Sequence, residues 1–286
     1  MNPSLSLGIT KYAGQETHSQ GAKYSEEDAH TMPTSDEILE QLTSLSHFLG
    51  DPARDLAILG EGNTSARLDE ETFYVKASGQ HLGTITPKGF CAVNFGRILP
   101  CFDSPDLTDA EVKQALLECK SNDVSEVMPS VETFFHAYLL TLPNVNFVGH
   151  THPTAVNAIL CSNGAEEALS GRLFPDEIVC CGAAPCFVEY TDPGMTLSKR
   201  IKLRVEEFFE KYGEWPKTIL MQNHGLIAVG RTPKDIQTIT SMYVKTARVL
   251  LGTYAFGGPN FLTEENVRRI HTRPDEHYRQ RQIGQR

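Results

Sequence analysis

The sequence predicts a layered α/β or α+β domain, and two observations carry that prediction. Short apolar segments with strand character alternate along the chain with longer segments whose apolar residues recur every three and four positions. With 286 residues, 40% hydrophobic and 22% charged, the chain is long enough to bury a full core as one large domain and is ordinary for a soluble globular protein.

Residues 1 to about 34, rich in Ser, Thr, Gly, Glu and His, predict a poorly ordered arm, followed by a domain over 35–262 and a C-terminal tail over 263–286. Ser35-Asp36-Glu37 opens a helix whose apolar stripe is Ile38, Leu39, Leu42 and Leu45 or Phe48. Residues 55–59 read as a strand running into the polar stretch 60–67, and 73–76 and 92–94 read as two more strands. A helix is predicted over 109–119, with Val112, Ala115 and Leu116 inward. Pro129-Ser130-Val131-Glu132 opens a stronger one, because Val131, Phe134, Phe135, Tyr138, Leu139 and Leu142 hold helical spacing. A strand then carries His150 and His152, and 154–160 is helical. Residues 178–181 and 186–188 read as strands around a Gly-Ala-Ala-Pro turn. The segment 196–212 is a charged helix with Leu197, Ile201, Val205 and Phe208 or Phe209 facing in. Strands over 218–221 and 226–229 flank the tight turn Asn223-His224-Gly225. Thr232 then caps a helix that starts with Pro233 and runs to about Leu251.

A formal net charge of -10, from 26 basic and 36 acidic residues, argues against a nucleic-acid surface, which needs clustered Lys and Arg. Arg268, Arg269, Arg273, Arg279, Arg281 and Arg286 come nearest to such a cluster, but Asp275 and Glu276 interrupt them, and they read as a solvated end. Seven cysteines without a C-x-x-C pair suggest neither a disulfide framework nor a zinc ribbon, so a reducing cytoplasm is expected. No secretory pattern opens the sequence and no apolar run approaches the ~18 residues of a membrane helix, so no membrane partner is expected.

In Val148-Gly149-His150-Thr151-His152-Pro153 the strand alternation sets His150 and His152 on one face, roughly 6 to 7 Å apart at the backbone. Neutral imidazoles at that spacing suit a divalent cation, and catalytic zinc takes three protein ligands plus an open position. His224, in its turn between strands, is the candidate third ligand. Glu132, in the first turn of its helix, is placed to take a proton from carbon beside a metal-held carbonyl. His136, four residues on, either orients Glu132 or fills the layer, and the filling role is the expected one. Gly60-Glu61-Gly62-Asn63-Thr64-Ser65 offers small residues and hydroxyls to an anion but is neither a dinucleotide fingerprint nor a Walker loop. Lys76, Ser78, Gly79 and Ser130 are further polar positions that could join it around a phosphate or carboxylate. His47, His81 and His271 have no metal-like spacing, and Cys180 and Cys181 read as core packers.

Five blocks in order resemble the signature segments of the class II aldolase/adducin family: Gly62-Asn63-Thr64-Ser65-Ala66-Arg67, Ser78-Gly79, Pro129-Ser130-Val131-Glu132, His150-Thr151-His152 and Gln222-Asn223-His224-Gly225-Leu226-Ile227-Ala228. The resemblance spans about residues 35 to 255. Val75-Lys76-Ala77-Ser78-Gly79 and Leu82-Gly83-Thr84-Ile85 are most similar to sugar-phosphate aldolase domains fused to short-chain dehydrogenases, although no dehydrogenase domain is read here. The resemblance implies a three-layer α/β/α sandwich with a mainly antiparallel sheet, assembled as a cyclic tetramer with sites between subunits. It implies zinc, or manganese or another divalent ion, on His150, His152 and His224, with Glu132 as the proton shuttle. It also places Asn63, Ser78, Gly79 and Ser130 at a substrate phosphate. The implied activity is retro-aldol cleavage of a ketose phosphate or related sugar through a metal-bound enediolate, as in fuculose-phosphate and rhamnulose-phosphate aldolases.

Two positions depart from the pattern. Val131 stands where fuculose-phosphate aldolase has a second serine, and Phe174 stands near the family's proton-donating tyrosine, whose role phenylalanine cannot fill. The alternatives are a decarboxylase or dehydratase of an oxo-sugar acid or sugar phosphate on the same site, and a non-catalytic adducin-like assembly module. The epimerase branch ranks below these, because it carries Asp at the position of Glu132.

Overall fold

The computed structural model describes residues 33–104, 107–121 and 126–274. The predicted arm lies outside the described residues apart from Pro33 and Thr34, as do Asp275, Glu276, Arg279, Arg281 and Arg286 of the tail. Thr34 caps α1 (Ser35–Leu49) in a reciprocal capping box with Glu37, and Ile38, Leu42, Leu45 and Leu49 are its buried face. The strands β1 (Asn63–Arg67), β2 (Thr72–Lys76) and β3 (Phe90–Asn94) follow. The short α2 (Phe95–Ile98), α3 (Asp109–Glu118) and α4 (Thr133–Leu140) lead to β4 (Phe147–Thr151). Then come α5 (Thr154–Leu160), α6 (Ala165–Ala168), α7 (Pro175–Cys181), β5 (Cys186–Val188) and α8 (Met195–Tyr212). The hairpin strands β6 (Thr218–Met221) and β7 (Gly225–Gly230), α9 (Pro233–Thr253) and α10 (Glu264–Thr272) complete the described chain.

The seven strands form one sheet in the order β3-β2-β1-β4-β7-β6-β5. Every pairing is antiparallel except β5 with β6, so the sheet is mixed and mainly antiparallel. Two apolar cores flank it, as strand alternation requires. Val148, Ile227 and Val229 join α4 and α8 on one face. Phe147, Leu226 and Ala228 join α1, α5 and α9 on the other. The result is the expected α/β/α sandwich.

Three local expectations are corrected. Residues 55–59 are not a strand: Asp55 and Leu59 take left-handed backbone angles, φ 58° and 51°, which end extended structure, while the Leu56 carbonyl accepts from the His152 amide. The strand is instead β1, within the polar stretch that follows. Residues 178–181 belong to α7, because Pro175 in the first turn, Asp176 and Glu177 beside it and an extended Phe174 cap start a helix that outweighs the strand preference of Ile178 and Val179. Val131 precedes α4 and is 41% exposed instead of lying on its apolar stripe. The tail contains α10, capped by Thr263 and packed against α7, and His271 Nε2 lies 3.0 Å from Glu214.

Candidate metal centre

Pairing between β1 and β4 sets Asn63 opposite His150 and Ser65 opposite Val148, and the alternation turns all four side chains toward the α4 face. Glu132 is the N-cap residue of α4 on that face, so a carboxylate, an amide and an imidazole meet at one end of the sheet. His152 lies one residue beyond β4, held by its backbone bond to Leu56. His224 sits in the β6–β7 turn, which Asn223 opens with φ 55°. Asn157 of α5 donates to the His224 carbonyl at 3.0 Å.

The three histidines each offer one ring nitrogen, all within 4.8 Å of one another. Three nitrogens bound at about 2.0–2.1 Å to one ion stand about 3.4 Å apart, so a small inward shift completes a zinc-like set. The ring chemistry fits a cation. His150 Nδ1 lies 3.1 Å from the Leu226 carbonyl, which only accepts, so the proton sits on Nδ1 and the Nε2 lone pair faces the cluster. His150 Nε2 and His152 Nε2 stand 2.9 Å apart, a contact that a shared cation relieves. Burial pushes the His150 imidazole well below its usual range, and burial followed by the neighbouring His224 lowers that of His152, so both are in the neutral, ligating form at pH 7. Glu61 Oε1 lies 3.7 Å from His152 Nδ1 and braces the outer side of that ring.

Glu132 faces this cluster. Its Oε1 stands 3.1 Å from His224 Nε2 and 3.6 Å from His150 Nε2, and the Asn63 amide donates to Oε2. Burial alone would raise its pKa. The His150 and His224 imidazoles and the hydrogen bonds from His224 and Asn63 outweigh it and hold the carboxyl well below the usual carboxylate range.

The predicted phosphate positions divide. Ser65 is fully buried, with its hydroxyl 2.7 Å from His136 Nδ1, so it does not reach the open cleft. Asn63 spends both ends of its amide on Glu132 and His136. Lys76 is buried and donates to the carbonyls of Gln80 at 2.7 Å and Gly60 at 3.3 Å; burial lowers its pKa, with Glu132 opposing. Ser78 and Gly79 are exposed, and Gly79 takes φ 76° with open space beside it. Ser130 Oγ is buried with no hydrogen-bond partner among the described residues, beside the start of α4. Phe174 caps α7, with the Lys245 ammonium 5.3 Å from its ring centre. His136, read from sequence as layer filling, bonds Ser65 and Asn63 through its two ring nitrogens, a pairing that its helical spacing from Glu132 hinted at and could not specify.

Fold and cluster together define an α/β/α protein with a three-histidine site able to hold a divalent cation. The chain belongs to the class II aldolase and adducin family, whose N-terminal domain model matches residues 40–251. It is similar to a protein of Bacillus subtilis (strain 168), Uncharacterized oxidoreductase YuxG, at 28% identity over 247 residues, which is 81% of this chain and 33% of that protein. The chain thus spans about a third of the length of that relative. Among solved structures it resembles the N-terminal Class II Aldolase domain of a conserved protein from Thermoplasma acidophilum, with TM-score 0.59 and 25% identity over 79% of this chain and all of that one. It shares its fold with an L-fuculose 1-phosphate aldolase, with TM-score 0.61 and 17% identity over 84% of this chain and 96% of that one. Among the described residues no helix is long and apolar enough to cross a membrane.

Proposed function

We propose that this chain is a divalent-metal-dependent lyase that cleaves a ketose phosphate or related sugar by a retro-aldol reaction. The observation that carries the reading is one carboxylate oxygen: Glu132 Oε1 lies against His224 and His150 while Oε2 is occupied by Asn63. His150, His152 and His224 would hold zinc or a similar ion, which supplies Lewis acidity toward a substrate carbonyl and the electron pair left by the breaking bond. Glu132 rests ionised; in cleavage it would take the proton of the hydroxyl on the carbon that leaves as the aldehyde and deliver it to the carbon beside the carbonyl, and in the reverse sense it is the base toward that carbon. Ser130 Oγ, lacking a hydrogen-bond partner among the described residues, and the open Gly79 turn offer an anion subsite, and the Lys76 ammonium, bonded to the Gln80 carbonyl, adds positive charge. The reading extends to a cytoplasmic homotetramer whose catalytic domain covers 35–262.

A second reading, decarboxylation or dehydration on the same site, is favoured by the exposed Val131, an apolar wall next to Glu132 where a phosphate would gain from a hydroxyl. Deuterium uptake from D2O into dihydroxyacetone phosphate, followed by proton NMR, separates the two. Exchange is expected with zinc- or manganese-loaded protein and should fall by about 10² to 10⁴ in Glu132→Gln, the range for a general acid/base. No exchange in the metal-loaded wild type would reject the retro-aldol reading.

A further inference from the structure

We propose that Ser65 and His136 are positioning residues that act through the Asn63 amide to hold Glu132 with Oε1 alone presented to the histidine cluster. The inference rests on the acid/base role proposed for Glu132 and adds the means by which that carboxylate is aimed.

The hydrogen-bond directions follow from donor inventory. An ionised carboxylate only accepts, so Asn63 turns its NH2 to Glu132 Oε2. That leaves Asn63 Oδ1, also only an acceptor, against His136 Nε2, which must therefore carry the ring proton. The ring is fully buried, and desolvation drives its pKa down to about 3, so Nδ1 is bare and the Ser65 hydroxyl donates to it across 2.7 Å. The three bonds run one way, from Ser65 to His136 to Asn63 to Glu132. Flipping the amide would set Oδ1 against the carboxylate and NH2 against the Nε2 proton, two repulsive contacts in a buried place. Phe135 stacks on the His136 ring, with centroids 4.7 Å apart and planes 24° apart, and fixes its tilt. Burial requires both nitrogens to be matched whatever the ring does; what marks this ring is that its Nε2 partner is the same amide that holds Glu132. Here each is matched, and each match narrows the freedom of the group one step nearer the cleft.

Two substitutions separate aiming from filling. Glutamine carries an amide NH2 near the position of Nε2 and keeps the bond to Asn63, whereas asparagine reaches only the position of Nδ1 and keeps the contact with Ser65. In the metal-loaded exchange assay, His136→Gln should stay near the wild-type rate. His136→Asn should lose about 10- to 100-fold in kcat with KM unchanged, the scale for a misplaced catalytic group. Crystal structures of the metal-loaded proteins should show one Glu132 orientation in wild type and His136→Gln and more than one in His136→Asn. Nitrogen-15 NMR should show the Nε2–H tautomer of His136 in wild type. Equal kcat in the two variants, a single Glu132 orientation in His136→Asn, or an Nδ1–H tautomer would each overturn the proposal. If wild type shows no exchange, the retro-aldol reading fails by itself, and the orientation and tautomer results still decide whether His136 aims Glu132.

Discussion

Gly225 is where the histidine cluster has least room, and Gly225→Ala is the substitution that tests the cluster as a working unit. A Cβ there would lie 2.5 Å from the Thr151 carbonyl oxygen, 2.7 Å from His152 Cδ2 and 3.1 Å from His150 Cε1. Ordinary contact begins at 3.4 Å, so the shortfalls are 3.4 − 2.5 = 0.9, 3.4 − 2.7 = 0.7 and 3.4 − 3.1 = 0.3 Å. The carbonyl belongs to the β4–β7 ladder and is hard to move. Much of the strain therefore passes into the two rings, which exceeds the ~0.5 Å tolerance of a preorganised site. Overpacking of this kind costs about 1–3 kcal/mol of stability. Metal affinity should fall further in kind, by about 10- to 100-fold, as when the shell that orients ligands is disturbed. Zinc affinity measured by competition with a chromophoric chelator gives the second number, and urea unfolding in EDTA gives the first. Wild-type zinc affinity in a folded Gly225→Ala protein would refute the assignment of these rings as ligands.

Other expectations follow from single contacts. His152→Ala should lose bound metal and exchange activity while retaining the wild-type urea midpoint within error in EDTA, because that ring lies at the rim of the site and outside either apolar core; metal content by mass spectrometry decides it. Glu177→Ala should destabilise the fold by about 3–5 kcal/mol, since it strips the buried Arg172 of a carboxylate 3.0 Å away and leaves its charge uncompensated; urea unfolding reads this directly. At pH 8 a thiol reagent should modify the exposed Cys161 first and the half-buried Cys101 more slowly. Burial pushes the thiols of Cys91, Cys119 and Cys186 up to about 11, 12 and 12, so these should react only on unfolding.

What could be read in the sequence was local. His150 and His152 share a face because strands alternate, and His224 is marked by the turn residues around it, so the three were legible without knowledge of the fold. Capping signals likewise placed α1 and α9, and apolar spacing placed α8, within a residue or two. The errors arose where local preference and tertiary context disagree. Ile178 and Val179 favour strands in isolation, yet they sit one turn past a Pro-Asp-Glu helix start. The stretch 63–67 carries a polar-looking sequence because its Asn63 and Ser65 bond side chains on α4 inside the protein. The bonds of Asn63 and Ser65 to Glu132 and His136 were hidden for the same reason: partners 69 to 73 residues away leave no trace in spacing.

The site therefore depends on register more than on any one residue. Asn63 stands beside His150 only because β1 pairs with β4 as it does, and a slip of one residue would turn Asn63 and Ser65 to the α1 face and Thr64 to the α4 face. Two contacts hold the register from opposite sides of the sheet. On the α1 face the Thr64 hydroxyl lies 2.6 Å from that of Ser46, whose own position is set by its bond to the Leu42 carbonyl. On the α4 face Ser65 is held by His136. Helix α1, which contributes no side chain to the histidine cluster, thereby constrains the carboxylate through Thr64, β1 and Asn63. That linkage explains why fully buried hydroxyls occupy two consecutive positions of a central strand where apolar side chains would pack as well.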